Sequence, residues 1–189
     1  TCGLNRADLV VADGGAHGSA GGNGTIVGME FSGEIVKCGE NVKNFSIGDR
    51  VMCSGTSAWA EYAIADHGRA IKIPDNNMDF TTASSLPIAL ATMHNAIVTI
   101  GNFVKGQTIL IQGASSGVGL MGLQLAKHLG AKLVIGTSTK IEKFRRLKSI
   151  GADLVVNSKD TNWVEEVLRS TNNEGVDLII DQLSGYTIN

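Results

Sequence analysis

The chain has 189 residues, 43% of them apolar, enough to fill the core of one large domain or two small ones. Its net charge of -2 offers no basic surface for nucleic acid, and no stretch approaches the roughly 18 apolar residues of a membrane span. Cys2, Cys38 and Cys53 are too few and too scattered for a disulfide framework and fit a reducing cytoplasm.

Residues 1–75 read as short strands broken by glycine turns. Glu34-Ile35-Val36-Lys37, Asp49-Arg50-Val51-Met52, Trp59 to Ile64 and Ala70-Ile71-Lys72-Ile73 mix β-branched or aromatic residues with polar ones, and Gly39, Gly48 and Gly55 punctuate them. This spacing predicts a small barrel-like β domain. Trp59 and Tyr62 are expected to pack it, and Cys2 and Cys53 to be small buried hydrophobes. Pro74-Asp75-Asn76-Asn77 reads as a turn. A helical region follows, with Asp79, Thr81 and Thr82 as candidate caps; Pro87 is expected to interrupt it before a second segment from Ile88 to Ile100.

From Thr108 the pattern becomes strand–helix alternation. Thr108-Ile109-Leu110-Ile111 is a short apolar run, Val118, Met121, Leu125 and Leu129 follow helical spacing, and Gly130 stands where a left-handed cap belongs. A phrase then recurs at Gly130, Gly151 and Gly175: a helix-ending glycine, a polar residue, and an apolar strand without alternation. Such strands are buried on both faces, as in a parallel sheet covered by helices. Ile141, Phe144 and Leu147 mark one intervening helix, and Trp163, Val164, Val167 and Leu168 another. The pattern is that of a doubly wound α/β sheet.

Gly113-Ala114-Ser115-Ser116-Gly117-Val118-Gly119 lies between the first apolar strand and its helix. A pyrophosphate needs backbone N–H groups that it can approach closely, at the positive end of a helix. Small residues from 113 to 117 meet that need, and Gly119 lets helix and strand pack closely, although Ala114 and Ser116 replace two glycines of the usual dinucleotide fingerprint. The second strand ends Thr137-Ser138-Thr139-Lys140, with no acid before Glu142. An acid there would repel a 2′-phosphate, whereas hydroxyls and Lys140 or Lys143 would accept one, which favours NADP over NAD. His17, His67, His94 and His128 show neither metal nor triad spacing.

In chain order, Cys2-Gly3-Leu4-Asn5-Arg6-Ala7-Asp8, Gly28-Met29-Glu30, Val42 to Val51, Trp59-Ala60-Glu61-Tyr62, Gly113 to Gly119 with Gln124-Leu125-Ala126-Lys127, Lys143, and Gly175 to Asp181 resemble the medium-chain dehydrogenase/reductase superfamily. Within it they are similar to the zinc-free, zeta-crystallin-like quinone oxidoreductases. The resemblance implies an α/β protein with a GroES-like β-barrel domain over 1–87 and a doubly wound Rossmann domain over 88–189. Both would be partial, because relatives begin earlier and continue past Asn189; the chain reads as an internal piece with unpaired sheet edges.

The resemblance also implies residue roles. Asn5 would lie near nicotinamide and substrate, Thr92 would hold the nicotinamide carboxamide, and Lys143 would approach the 2′-phosphate. The cofactor set is then Ala114, Ser115, Ser116, Gly117, Val118, Gly119, Thr137, Ser138, Lys143 and Ser158, around NADP(H). A homodimer is implied as well. Zinc-dependent relatives carry Cys in place of Asn5 and His in place of Met29, so no metal is expected. Three positions depart from the family. A tyrosine has no counterpart between Val11 and Gly24, Ser158 replaces another tyrosine, and Ser184-Gly185 replaces a Gly-Gly pair.

The implied activity is zinc-free hydride transfer from NADPH to a quinone or an α,β-unsaturated carbonyl. These acceptors take hydride readily, and the resulting quinolate or enolate takes its proton from water, so no strong general acid is needed. Asn5 is expected to hydrogen-bond the oxygen on which charge develops. The alternative, which the missing tyrosines favour, is a non-catalytic or structural member that keeps NADP(H).

Overall fold

The computed structural model describes residues 1–18, 20–22, 24–74 and 77–183. The Ser184-Gly185 pair and the middle of the turn expected at 74–77 lie outside the described residues. The chain divides into two compact units, Thr1–Ile88 and Ala89–Asn189.

The first unit opens with a helix, α1 (Arg6–Ala12), where only strands were expected. Asn5 starts it, and its N–H donates to Asp8 Oδ2 at 2.7 Å. On its inner side Val11 packs with Ala20 and Met29, flanked by Ala7, Val27 and Ile88. A two-stranded ribbon follows, β1 (Ala16–His17) and β2 (Ala20–Gly21). Strands β3 (Glu30–Glu34), β4 (Arg50–Ser54) and β5 (Ala70–Lys72) then form an antiparallel sheet in chain order, with Phe31 opposite Cys53 and Met52 opposite Ile71.

Two strand expectations are corrected. β3 lies ahead of the segment expected at 34–37, and its buried face is polar, carrying Glu30 and Ser32, so apolar alternation gave no sign of it. Trp59 to Ile64 forms no strand: Tyr62 is 73% and Ile64 95% exposed, and strand-like composition does not hold a segment that has no packing face. Tyr62 therefore does not pack the unit. Trp59 is partly covered and donates Nε1–H to the Gly3 carbonyl at 3.4 Å. Cys53 is buried, whereas Cys2 is only half-buried.

Asp79 Oδ1 accepts the Thr82 N–H at 2.6 Å and caps α2 (Phe80–Ser84). α2 ends at Ser84 and the chain leaves the helix over residues 85–86, the break expected before the proline; Pro87 itself then opens α3 (Pro87–His94), since the first helical residue needs no N–H. The helix continues as a π-helix over Asn95–Ile100, closed by the Gly101 N–H donating to the Ala96 carbonyl at 3.0 Å.

The second unit alternates as its sequence predicts. β6 (Thr108–Ile111), α4 (Gly117–His128), β7 (Leu133–Ser138), α5 (Phe144–Ile150), β8 (Leu154–Asn157), α6 (Trp163–Ser170) and β9 (Leu178–Ile180) build a parallel sheet of order β8-β7-β6-β9. One face, with Ile109, Ile111, Val134 and Val155, packs on Leu123 and Ala126 of α4, Leu147 of α5, and Met93 and Ile97. The other, with Leu110, Ile135 and Val156, packs on Trp163 and Val167 of α6. Burial on both faces explains the unbroken apolar runs of β6, β7 and β8; β9, at the end of the strand order, departs from it, with Ile180 buried and Ile179 53% exposed. Gly130, at φ +80°, ends α4 in the left-handed region as expected.

Candidate functional site

Strand order reverses at β6: β7 and β8 lie on one side of it and β9 on the other. A sheet of this order takes its ligand beyond the carboxyl ends of the strands at that reversal, where Gly113–Gly119 joins β6 to α4. The end of β7 pins this loop. Thr137 Oγ1 accepts the Gly113 N–H at 3.1 Å, and the Thr137 carbonyl accepts the Ala114 N–H at 2.9 Å. Ser116 caps α4, its Oγ accepting the Gly119 N–H at 3.0 Å.

Gly119 is required by contact. A Cβ there would lie 2.6 Å from the Gly113 carbonyl oxygen and 2.7 Å from Ala114 Cα. At Gly117 the reverse holds, because a Cβ would meet nothing within 4 Å. The N–H groups of Ser115, Gly117 and Val118 have no partner among the described residues. The loop thus presents three unengaged donors and an open face at the positive end of a 12-residue helix, a cradle that fits a diphosphate.

The expected cofactor residues divide by task. Ala114 is fully buried and its amide is held by β7, so it shapes the loop from within. Thr137, expected beside the ribose phosphate, is also fully buried with its hydroxyl on the Gly113 amide; it braces the loop from behind. Ser138 Oγ lies 3.3 Å from Ser115 Oγ and accepts the Lys140 N–H at 3.2 Å. Ser158, just past β8, donates its N–H to the Ser138 carbonyl at 3.3 Å. These bonds bring Ser115, Ser138 and Ser158 together at the strand ends. Lys143, half-buried, ends a short 3₁₀ turn at Ile141–Lys143. Thr92 lies exposed on α3, and His94 is exposed as well.

In the first unit Asn5 is held at two points. Its N–H donates to Asp8 Oδ2, and its Nδ2 donates to Glu30 Oε1 at 2.7 Å. Glu30, only 3% exposed, accepts the Ile88 N–H on Oε2 at 2.8 Å. In the sequence Glu30 and Asp8 stand only inside motifs, with no task of their own. The one signal for Glu30 is an acid in a short, otherwise uncharged segment between Gly28 and Gly33.

This donor set does not fit zinc. Asn5 offers an amide, Met29 is buried beside Val11 and Ala20, and both Glu30 oxygens are engaged. Among the described residues no three His, Cys, Asp or Glu side chains are grouped to hold a metal, and no helix is long and apolar enough to cross a membrane.

Two family profiles match the chain, the alcohol dehydrogenase GroES-like domain over residues 1–75 and the zinc-binding dehydrogenase domain over residues 117–189. Among curated proteins, the chain is 38% identical over 161 residues to a reducing polyketide synthase of Hypomyces subiculosus, an alignment covering 84% of the chain. It is 32% identical over 185 residues, 97% of the chain, to a highly reducing polyketide synthase of Purpureocillium lilacinum. The chain spans 7% of the length of each synthase.

Solved structures of similar fold include three that bear on the site. A quinone oxidoreductase of Pseudomonas syringae is 25% identical with a TM-score of 0.86, over 99% of this chain and 57% of that one. A mycobacterial protein complexed with NADPH is 27% identical with a TM-score of 0.83, over 98% and 57%. The CurK enoyl reductase is 26% identical with a TM-score of 0.79, over 87% and 49%.

Proposed function

Because this chain belongs to the medium-chain dehydrogenase/reductase superfamily, we propose that it is the nucleotide-holding part of a zinc-free, NADPH-dependent reductase acting on an α,β-unsaturated carbonyl. The observation that carries the reading is the loop before α4, with three unengaged amides, an open Gly117 and no acid at the end of β7. The NADPH complex and the enoyl reductase among the similar structures support it, as do the reducing polyketide synthases among the relatives. The quinone oxidoreductase of similar fold supports a quinone as the second acceptor class.

NADPH, when bound, supplies the hydride. The chain's own task is to hold and orient. The Ser115, Gly117 and Val118 amides would hold the diphosphate, and Ser138 with Lys140 and Lys143 the 2′-phosphate. The Asn5 amide has a second N–H beyond the one given to Glu30. That N–H can donate to the substrate carbonyl oxygen, where negative charge grows as hydride adds to the β carbon. The α carbon of the enolate then takes a proton from water, so hydride and proton together saturate the double bond. The homodimer and the cytoplasmic setting expected from the sequence belong to the same proposal.

The test is NADPH consumption by the intact protein with an enoyl thioester and with a simple quinone. The expected result is enoyl-dependent oxidation with one saturated product per NADPH. NADPH binding without turnover on any acceptor would instead favour a non-catalytic nucleotide-binding member.

A further inference from the structure

We propose that Glu30 is the positioning residue for Asn5, turning its carboxamide so that an N–H faces the substrate oxygen; this rests on the reduction proposed above. Oxygen and nitrogen of a carboxamide differ little in shape, so shape alone leaves the group two ways to lie. Glu30 removes the choice. An ionised carboxylate accepts hydrogen bonds and donates none, and Glu30 Oε1 is 2.7 Å from the Asn5 amide position, so the nitrogen must face it. The second N–H of that nitrogen has no partner among the described residues and is available to a ligand.

Glu30 is itself prevented from turning. Its other oxygen accepts the Ile88 N–H at 2.8 Å, and its side chain is 3% exposed. It lies against Gly3, where a Cβ would stand 2.6 Å from both Glu30 Cγ and Oε1. The main chain of Asn5 is fixed separately by Asp8 Oδ2 at 2.7 Å. Backbone and side chain are thus tied by two different carboxylates, and what remains free is one N–H in one direction. Pre-set direction is what a donor to a developing oxyanion needs, since it then has no reorientation to make during the reaction.

Glutamine at position 30 cannot do the same work. It brings one acceptor oxygen and one amide nitrogen to two N–H donors, so either Asn5 or Ile88 faces a donor. In the intact protein, Glu30→Gln is expected to lower kcat for enoyl reduction about tenfold or more. The KM for NADPH should stay within about twofold, because the loop before α4 is untouched. Asn5→Asp alone sets carboxylate against carboxylate and should lower the Tm. Combining Asn5→Asp with Glu30→Gln reverses the polarity of the contact while the glutamine oxygen still accepts from Ile88. That pair should recover most of the Tm lost by Asn5→Asp, yet turnover should stay low because no N–H remains at position 5.

A Glu30→Gln variant with kcat within twofold of wild type would overturn the positioning role. Strictly additive Tm changes in the two-residue cycle would overturn the contact itself. A wild-type protein that binds NADPH but reduces no acceptor would overturn the proposed reduction and the catalytic part of this inference, and the Tm cycle would then decide the contact alone.

Discussion

Thr137 accepts the amide proton of Gly113 on its hydroxyl at 3.1 Å, from a position with no solvent exposure. The end of the second strand of the parallel sheet is thereby tied to the first residue of the phosphate-type loop. Thr137→Val keeps the shape and removes the acceptor, leaving the Gly113 N–H without its partner. The expected cost is about 1–3 kcal/mol of stability, together with weaker NADPH binding as the loop loosens. Denaturant melts and NADPH titration of the intact variant check both; unchanged stability would show that the bond does not brace the loop.

Gly119 meets Gly113 and Ala114 at the point where α4 crosses β6. The atoms a Cβ would strike, at 2.6 and 2.7 Å, are backbone and cannot swing aside as a side chain could. Gly119→Ala should therefore move the head of α4 and cost about 1–3 kcal/mol by overpacking. NADPH affinity should fall with it, whereas Gly117→Ala, which points into open space, should leave stability within about 1 kcal/mol. Equal destabilisation by both substitutions would contradict the geometry.

How much of this was legible in the sequence differs between the units. In the second, Gly130, Gly151 and Gly175 each precede an apolar strand; burial on both faces accounts for the pattern in β7 and β8, whereas in β9 Ile180 is buried and Ile179 is 53% exposed. The loop residues were readable because small side chains between strand and helix have few other uses. The roles of Ala114 and Thr137 were not, since sequence does not show which loop residues face inward. In the first unit α1 escaped because its buried positions include Asp8, and β3 because its buried face carries Glu30 and Ser32. A buried polar face carries no hydrophobic period, and for the same reason Glu30 was passed over. Trp59 to Ile64 shows the opposite failure, strand-like composition with nothing to pack against.

Asp177 accepts both the Thr108 N–H and the Thr108 hydroxyl, each at 2.7 Å, and these bonds hold its carboxyl below the ordinary carboxylate range. A depressed folded pKa gives stability that is fully present above the unfolded value, about 3.9, and is lost as pH falls through the folded value. Wild type should therefore melt higher than Asp177→Asn at neutral pH, and the two should converge only below about pH 4. A gap that stayed constant into strong acid would show that the carboxylate's charge is not what matters there.

The most direct test is calorimetric titration of the intact protein with NADPH and with NADH, repeated with Lys143→Ala. Binding of NADPH tighter than NADH is predicted, with the lysine substitution weakening NADPH about tenfold and leaving NADH unchanged. An intact protein that binds neither nucleotide, or binds both equally with and without Lys143, would contradict the account.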